Sequence, residues 1–227
     1  MTVAIDKQKP FRWLLVAILL VLAAGLSYAV LSLPAQSPGL TAYVAENIKT
    51  SGVSNPVTAV LLNFRAYDTL LEMGVLLLAL LGTWSLSNVP EQRAASPGPV
   101  LDTLSRSLLP LLILVAGYLL WVGTHAPGGA FQAGAVLGAA GVLLLLVGWY
   151  PGTRFTGLAL RIALVMGMGT FIAAGIVFML VGRRMLEYPL PFAAALILLI
   201  ETAATLSIGI TLAALFLGGR PEKGPQR

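Results

Sequence analysis

The residues most able to do chemistry lie in one short stretch, residues 63–72, which reads NFRAYDTLLE and runs directly into an apolar segment. On an α-helix at about 100° per residue, Arg65, Asp68, Thr69 and Glu72 fall on one narrow face. Each full charge near the centre of a membrane helix costs about 2.5–3.5 kcal/mol, and less toward the interface. Such a cost is tolerated where the face meets protein or water, so the stretch predicts an ion or proton path. One cation stands beside two anions, which leaves one carboxylate to titrate or to hold a cation.

Two further residues are candidates for the same chemistry. Glu201 lies near the middle of the last apolar segment, and Thr205 follows one turn later on the same face. Because the helix of Glu201 carries no basic residue, its partner must be another helix, a bound cation or a proton. His125 could accept a proton near the surface, because histidine titrates near neutral pH.

Each of these candidates has an alternative interpretation. Glu201 could make a polar contact with another subunit. Residues 63–72 could be an interfacial helix start, in which Arg65 snorkels and the acids pair with it. His125 could cap the preceding helix and meet water. The turn after it, Pro127-Gly128-Gly129, is followed by a helix whose first backbone N–H groups are exposed and carry positive dipole character.

The composition is that of a membrane protein. Of the 227 residues, 58% are hydrophobic and 10% are charged, which predicts an all-α polytopic membrane protein with about six transmembrane helices and short loops. The net charge of +5 does not indicate nucleic-acid binding, because the basic residues lie between apolar segments. The lipid bilayer is therefore the expected surrounding.

No cofactor is expected in this chain. It contains no cysteine for a thiolate site, and its single histidine argues against a bis-histidine haem or a histidine-rich metal centre. A transient Na⁺ at Asp68 and Glu72 is the only metal binding that we expect. We expect no enzymatic activity, and any redox chemistry would belong to partner chains.

Six segments are predicted to span the membrane, namely residues 13–33, 56–86, 108–122, 130–149, 162–181 and 191–217. The first could also be a signal peptide, but its apolar part is longer than the usual 7–15 residues or so, which favours an uncleaved anchor. Residues 34–54 are expected to form a polar loop whose middle, residues 43–49, lies at the interface. Glycines at 134, 138, 141, 167, 169 and 175 are interpreted as positions for close helix packing.

The second segment is too long for one straight span. Asn55 and Pro56 predict its start, as a cap and a first helical residue. A helix over residues 56–86 would be roughly 46 Å long, against a hydrocarbon core of about 30 Å. Either the helix tilts strongly, or it breaks near Arg65 and a short half-helix precedes the span.

The distribution of lysine and arginine predicts the orientation. With the N-terminus inside, one side holds ten of these residues and the other holds three, namely Lys49, Arg183 and Arg184. Both termini are therefore expected in the cytoplasm of a bacterial or archaeal cell, with the chain crossing the cell (inner) membrane several times and the His125 loop facing out. The turn that carries Arg183, Arg184 and Glu187 is expected to be solvated.

Two motifs carry a resemblance to a known family. Residues 55–60 and 63–72 resemble the C-terminal end of the large A subunit of Mrp-type multisubunit cation/proton antiporters, a segment that also occurs as a small subunit of membrane-bound hydrogenases. Ala66 and Leu71 stand where that pattern usually has glycines, so the local backbone is expected to be more regular. From Arg106 onward, the string HAPGGAFQAG at residues 125–134 and four spans resemble the MnhB/MrpB subunit of the same complexes.

The resemblance implies three regions and a set of roles. An N-terminal anchor (1–34) precedes an MrpA C-terminal-like segment (35–95) and an MnhB/MrpB-like four-helix domain (96–227). Asp68 and Glu72 would line a cation or proton path, with Arg65 and Thr69 beside them. Glu201 matches an acid in the last span of the B subunit family, and His125 matches the family histidine before the Pro-Gly-Gly turn.

The resemblance implies that the chain is a membrane subunit of a sodium/proton antiporter complex, with other membrane subunits, Na⁺ and H⁺ as its partners. The alternative is an architectural subunit, without its own ion path, of a related energy-converting hydrogenase or bicarbonate-uptake complex. A stand-alone transporter would need an internal repeat or a polar cavity, and the sequence indicates neither.

Overall fold

The computed structural model describes residues 8–33, 39–86, 98–149 and 157–218. These residues form helices and connecting turns without a β-strand, so the predicted all-α fold is confirmed. The chain divides into two compact units, residues 1–42 and 43–227. Basic residues used for the orientation, such as Lys7, Arg93 and Arg154, lie outside the described parts.

The first unit contains helix α1 (Gln8–Leu31). Its apolar part, Trp13–Leu31, is long enough to cross a membrane. The predicted anchor is thus a single long helix.

The second unit contains the other helices. They are α2 (Thr41–Ser51), α3 (Pro56–Ala59), a π-helical turn (Val60–Phe64), α4 (Ala66–Leu86), α5 (Pro99–Val122), α6 (Ala130–Leu146), α7 (Leu158–Leu180), a 3₁₀ turn (Leu190–Phe192) and α8 (Ala193–Leu217). Within the described ranges, five helices are long and apolar enough to span a membrane, and α6 is a shorter apolar helix. The chain is therefore a multi-pass membrane protein.

One predicted boundary was wrong. The third span starts at Pro99 instead of residue 108, because Pro99 occupies a first-turn position where its missing N–H costs nothing. The Arg106 Nε donates to Asp102 Oδ2 at 3.0 Å, so both charges belong to this helix. Residues 41–51 form a helix that contains the predicted interfacial segment 43–49.

Helix α8 lies at the centre of the second unit. It packs against α4, α5, α6 and α7, and its own Ile197 and Ile200 are fully buried. Helix α6 approaches it closely because glycines face it: a Cβ on Gly134 would lie 2.8 Å from the Ile208 Cβ. The predicted packing role holds in the same way for Gly138, Gly141 and Gly167, which also face α8. Gly175 faces the side chain of Met185 in the turn before α8, and Gly169 faces open space.

Candidate ion-path residues

The long second segment is broken at Arg65. The backbone N–H of Arg65 donates to the Val60 carbonyl at 2.7 Å, which closes a π-helical turn. Arg65 itself has φ −127° and ψ 36°, outside the helical region, and α4 begins at the next residue. Of the two alternatives, the broken helix is the one observed, and α4 alone has a length suited to one span.

Thr69 stabilises this break. Its Oγ1 donates to the Leu61 carbonyl at 2.6 Å, which satisfies a backbone group that the irregular turn leaves without a regular helical partner. The side chain is buried. Thr69 therefore points into the protein. The prediction that it shares one face with the three charged residues was wrong, because its position on α4 is turned toward the inside of the chain.

The charged residues lie on the outer surface of the chain. Arg65 Nη2 and Asp68 Oδ2 are 2.5 Å apart, and the two side chains are 62% and 44% exposed. Glu72, one turn further along α4, is also exposed and forms no ion pair with any described residue. Leu71 and Val75 beside it are exposed as well, so this charged face is surrounded by an apolar helix surface.

The motif at residues 55–60 forms hydrogen bonds with the turn that leads into the motif at residues 125–134. Asn55 caps α3 by accepting the Val57 N–H at 3.1 Å, and its Nδ2 donates to the carbonyls of Gly123 at 3.0 Å and Ala126 at 2.7 Å. Thr58 Oγ1 also donates to the Gly123 carbonyl. Residues 55–58 therefore clamp the turn that joins α5 to α6, and we call this set of contacts the Asn55 clamp.

His125 lies in that turn with an exposed side chain. Its Nδ1 is 2.6 Å from the Thr124 Oγ1, and its backbone N–H donates to the Val122 carbonyl at 2.9 Å. The turn thus extends the end of α5, and the imidazole is available at the surface of this chain.

Glu201 lies in a different environment from the other carboxylates. It is 3% exposed, and the Ala130 backbone N–H at the start of α6 donates a hydrogen bond to its carboxylate. Oε2 has no partner among the described residues, so Oε1 is the oxygen that accepts. Thr205, predicted on the same face, donates from Oγ1 to the Ala130 carbonyl at 3.5 Å.

Gly129 makes this contact possible. Its φ of +107° is a backbone conformation that residues with a side chain rarely adopt. A Cβ at this position would lie 2.8 Å from the Glu201 Oε1. Helix α6 has 17 residues, about 25 Å, which is less than the hydrocarbon core of about 30 Å. Its N-terminus contacts Glu201, a residue within the apolar helix α8.

Sequence reasoning missed Tyr188. This side chain is 4% exposed, packs edge-on against Phe178 with ring centroids 5.3 Å apart, and has a hydroxyl without a hydrogen-bond partner in the described parts of the chain. Burial raises the pKa of Tyr188 well above its usual value, and the Glu201 carboxylate adds to this rise. No pattern around residue 188 signals this role, since the residue follows an exposed turn.

The turn before Tyr188 is exposed on this chain, and its contact with water remains a prediction. Arg183, Arg184 and Glu187 are exposed, and the Arg184 N–H donates to the Glu187 Oε2 at 3.0 Å. A cavity of about 510 Å³ separates residues 184–187 from the helix break at residues 63–67. The break, the His125 turn and this turn therefore share one end of the second unit.

No dense metal centre forms in the described ranges, where no three His, Asp or Glu side chains come together. Asp68 and Glu72 are neighbouring carboxylates on α4, and Asp68 is paired with Arg65.

Comparison with known families identifies the class of protein. Residues 100–217, more than half of the chain, match the family described as "Domain related to MnhB subunit of Na+/H+ antiporter". The chain belongs to the MnhB family. The part before the MnhB region, residues 9–94, matches a second family, MbhE, which is described as a subunit of MBH, so the predicted resemblance to both kinds of complex is confirmed.

Two solved structures share the fold of this MnhB family member. One is a chain of the Mrp complex from Dietzia sp. DQ12-45-1b, with a TM-score of 0.62, 22% identity, and coverage of 100% of this chain and 27% of that one. The other is a chain of the archaeal membrane-bound sulfane sulfur reductase, with a TM-score of 0.60, 24% identity, and coverage of 89% of this chain and 97% of that one. The chain thus spans about a quarter of the Mrp chain. No match was found among curated protein sequences.

Proposed function

We propose that this chain is a non-enzymatic membrane subunit of a multisubunit Na⁺/H⁺ antiporter complex, and that its α4 carboxylates form part of a cation or proton path. The observation that carries the proposal is the MnhB family match over residues 100–217, because that family is described by its relation to a Na⁺/H⁺ antiporter subunit. The fold shared with a chain of an Mrp complex is consistent with it.

The charged face of α4 supports a role beside other subunits. Arg65, Asp68 and Glu72 are exposed on a helix long enough to span the membrane. If this face met lipid, each charge would cost about 2.5–3.5 kcal/mol near the bilayer centre. The face is therefore expected to meet a partner subunit and water. Na⁺ or H⁺ then binds at Asp68 and Glu72, Arg65 holds Asp68 in place, and Thr69 fixes the break that presents them.

The remaining assignments belong to the same proposal. The three regions are residues 1–34, 35–95 and 96–227, and the two C-terminal regions meet at the Asn55 clamp. His125 lies at the outer end of the bundle, where protons enter or leave, and both termini lie in the cytoplasm. Cysteine is introduced singly at Arg183, which is exposed, and at Leu86, which is exposed at the far end of α4. An impermeant thiol reagent on whole cells should label position 183; labelling of 86 instead of 183 would reverse the orientation.

Membrane vesicles provide the test of the function. Everted vesicles from cells with and without this chain are compared for Na⁺-dependent proton movement, and the chain is supplied again on a plasmid. Loss of exchange without the chain and its return with the plasmid are expected, and the chain should co-purify with larger membrane subunits. Unchanged exchange without it, or robust exchange by the purified chain alone, would contradict the proposal.

The second candidate is an architectural subunit of a respiratory membrane complex, without an ion path of its own. The similarity in length to a chain of the sulfane sulfur reductase complex favours it, because the alignment covers 97% of that chain. If this second candidate is correct, the complex should fall apart without the chain. Charge-neutral variants at Asp68 and Glu72 should then assemble normally and show normal Na⁺/H⁺ exchange. Those variants therefore separate the two functions.

A further inference from the structure

The cavity between the helix break and the turn before α8 is lined by one cation and one anion. Arg184 and Glu187 both border its volume of about 510 Å³, which lies within the range of about 300–1,000 Å³ typical of small-ligand sites. Neither side chain forms an ion pair with any residue that the structure describes. The guanidinium therefore keeps its N–H donors, and the Glu187 carboxylate accepts the Arg184 backbone N–H at Oε2 alone.

Two apolar residues of the same turn hold these charged side chains in place. Met185 packs against α7, where a Cβ on Gly175 would lie 2.9 Å from the Met185 Cε. Leu186 is buried although its φ of 63° is one that residues with a side chain rarely adopt. Such backbone strain persists only where the surrounding packing holds it. The turn is therefore a fixed wall that presents Arg184 and Glu187 to the cavity.

The opposite wall of the cavity is the helix break. Asn63 and Tyr67 line it on either side of the irregular backbone at Arg65. The Tyr67 hydroxyl is 3.1 Å from the Met185 sulfur, so one side-chain contact joins the two walls. The Asn63 amide donates to the Ser51 carbonyl at 3.3 Å, which ties the same wall to the end of α2. Both walls are thus held by contacts within this chain, and the cavity is formed before a ligand arrives.

The position of the cavity indicates a membrane lipid as the ligand. It lies just beyond the end of α7 and beside the start of α4, and both helices are long and apolar enough to span a membrane. Exposed apolar side chains flank the turn, among them Leu180, Val181 and Phe192, and Phe64 borders the cavity itself. A ligand that suits this place has a charged part for the cavity and an apolar part for the helix surfaces, as a phospholipid does.

From this arrangement, we propose that the cavity binds the headgroup of a zwitterionic phospholipid with a primary amine, which is phosphatidylethanolamine. The Arg184 guanidinium binds the phosphate through its paired N–H donors, and the Glu187 carboxylate accepts hydrogen bonds from the ammonium group. The chemistry recognised is that of phosphoethanolamine, which soluble glycerophosphoethanolamine also carries. The lipid site goes beyond the proposed function and does not depend on which ion the complex transports.

The two opposite charges should select among lipids. Phosphatidylglycerol carries the phosphate without a cation, so Glu187 would stand unpaired beside an anion. Phosphatidylcholine carries a trimethylammonium group, which has no N–H to donate to the carboxylate. We therefore expect phosphatidylethanolamine to bind about tenfold more tightly than either of them, which corresponds to one hydrogen bond between charged groups.

Photo-cross-linking on the assembled complex in mixed micelles tests the site. A phosphatidylethanolamine with a diazirine near its glycerol is irradiated with the complex, and the labelled peptides are identified by mass spectrometry. Label is expected on residues 63–67 or 184–187. Unlabelled phosphatidylethanolamine should compete at about one tenth of the concentration that phosphatidylglycerol or phosphatidylcholine requires. Soluble glycerophosphoethanolamine should compete far more weakly than the lipid, and equal competition by it would assign the cavity to a soluble ligand and overturn the proposal.

Two variants separate the roles of the charges. Arg184→Gln should weaken competition by phosphatidylethanolamine and phosphatidylglycerol alike, by about tenfold. Glu187→Gln should weaken phosphatidylethanolamine by about tenfold and leave phosphatidylglycerol unweakened, and its amide oxygen can still accept the Arg184 N–H. Arg183→Gln, at the neighbouring exposed arginine, and Glu46→Gln, exposed on α2, are the matched controls and should behave as wild type.

The wild-type labelling alone can overturn the proposal, without any variant. Absence of label from residues 63–67 and 184–187, as when a partner subunit fills the cavity, contradicts it. Equal competition by the three lipids, or equal behaviour of Arg184→Gln and Arg183→Gln, also contradicts it. Each of these results leaves the vesicle test of the subunit role unchanged, so the two proposals fail separately.

Discussion

Glu72 on α4 and Glu201 on α8 are both carboxylates in membrane helices, yet the protein treats them in opposite ways. Glu72 is exposed next to an exposed ion pair, whereas Glu201 is 3% exposed and accepts a backbone N–H from the start of α6. One acid is supported from inside the chain, and the other depends on what covers α4. The difference indicates that α8 and α6 form a finished core, and it supports the proposal that α4 faces a partner subunit.

The two helices that carry these acids also differ in how much of their surface is buried. Helix α8 contacts four other helices through small and β-branched residues, and its polar Ser207 and Thr211 donate to backbone carbonyls. Helix α4 buries one side through Met73 and Leu80 and leaves Leu71, Val75 and Leu78 exposed. Variants of the core are therefore expected to affect folding, and variants of the α4 face are expected to affect partners and transport.

Gly129→Ala should have the largest effect on stability. The added Cβ would lie 2.8 Å from the Glu201 Oε1, and the positive φ adds backbone strain. Together these cost about 3 kcal/mol. We expect a lower apparent Tm and much less assembled complex in detergent extracts. Gly169→Ala, where the Cβ meets open space, is the control and should be neutral or slightly stabilising. Equal behaviour of the two variants would argue against the close approach of α6 to Glu201.

Asn55→Ala tests the clamp between the two regions. It removes the α3 cap and two hydrogen bonds to the α5–α6 turn, which should cost about 2–3 kcal/mol. Limited proteolysis should cut the variant faster than wild type around residues 123–129. Asn47→Ala, whose exposed amide bonds to its own helix, should match wild type. If the Asn55 variant is equally resistant, the two regions do not depend on this contact.

Thr69→Val keeps the shape of the side chain and removes its hydrogen bond to the Leu61 carbonyl. The buried carbonyl then lacks this donor, at a cost of about 1–2 kcal/mol. The apparent Tm should fall, whereas Thr83→Val, which removes an exposed bond within α4, should change it little. A Tm equal to that of the control would mean that the break is stable without Thr69.

The two ion pairs give a matched comparison with small effects on stability. Arg65–Asp68 and Arg106–Asp102 are both exposed in this chain, so Arg65→Gln and Arg106→Gln should each cost less than about 1 kcal/mol. Only Arg65→Gln should weaken co-purification of partner subunits, by about tenfold, because a partner that covers α4 buries the pair. Equal losses of partner subunits in both variants would argue against a partner that covers the α4 face in particular.

Local patterns in the sequence predicted much of the fold. Asn55-Pro56 indicated the start of α3. The excess length of residues 56–86 left either a strong tilt or a break near Arg65, and the break is the one seen. The glycines of α6 indicated close packing, which holds against α8. These features depend on neighbouring residues or on helix periodicity, which the sequence displays directly.

The candidate site could be predicted only in parts. The unpaired Glu201 and the exposed N–H groups after Gly129 were both visible in the sequence, but their contact joins residues about 70 positions apart. Tyr188 carries no local signal, because its burial depends on how the turn before α8 packs against Phe178. Thr69 was placed on the charged face from its helical spacing. On α4 it lies about 100° from Asp68 and about 60° from Glu72, and that is far enough round the helix for its side chain to face inward.

Whether the α4 face carries ions is tested most directly by Glu72→Gln, which keeps the shape of the side chain and removes its charge. Everted vesicles containing the assembled complex are assayed for Na⁺-dependent proton exchange, with Glu46→Gln, exposed on α2, as the control. We predict normal assembly of both variants, loss of most exchange in Glu72→Gln and full exchange in Glu46→Gln. Exchange at the wild-type rate in assembled Glu72→Gln vesicles would contradict the account.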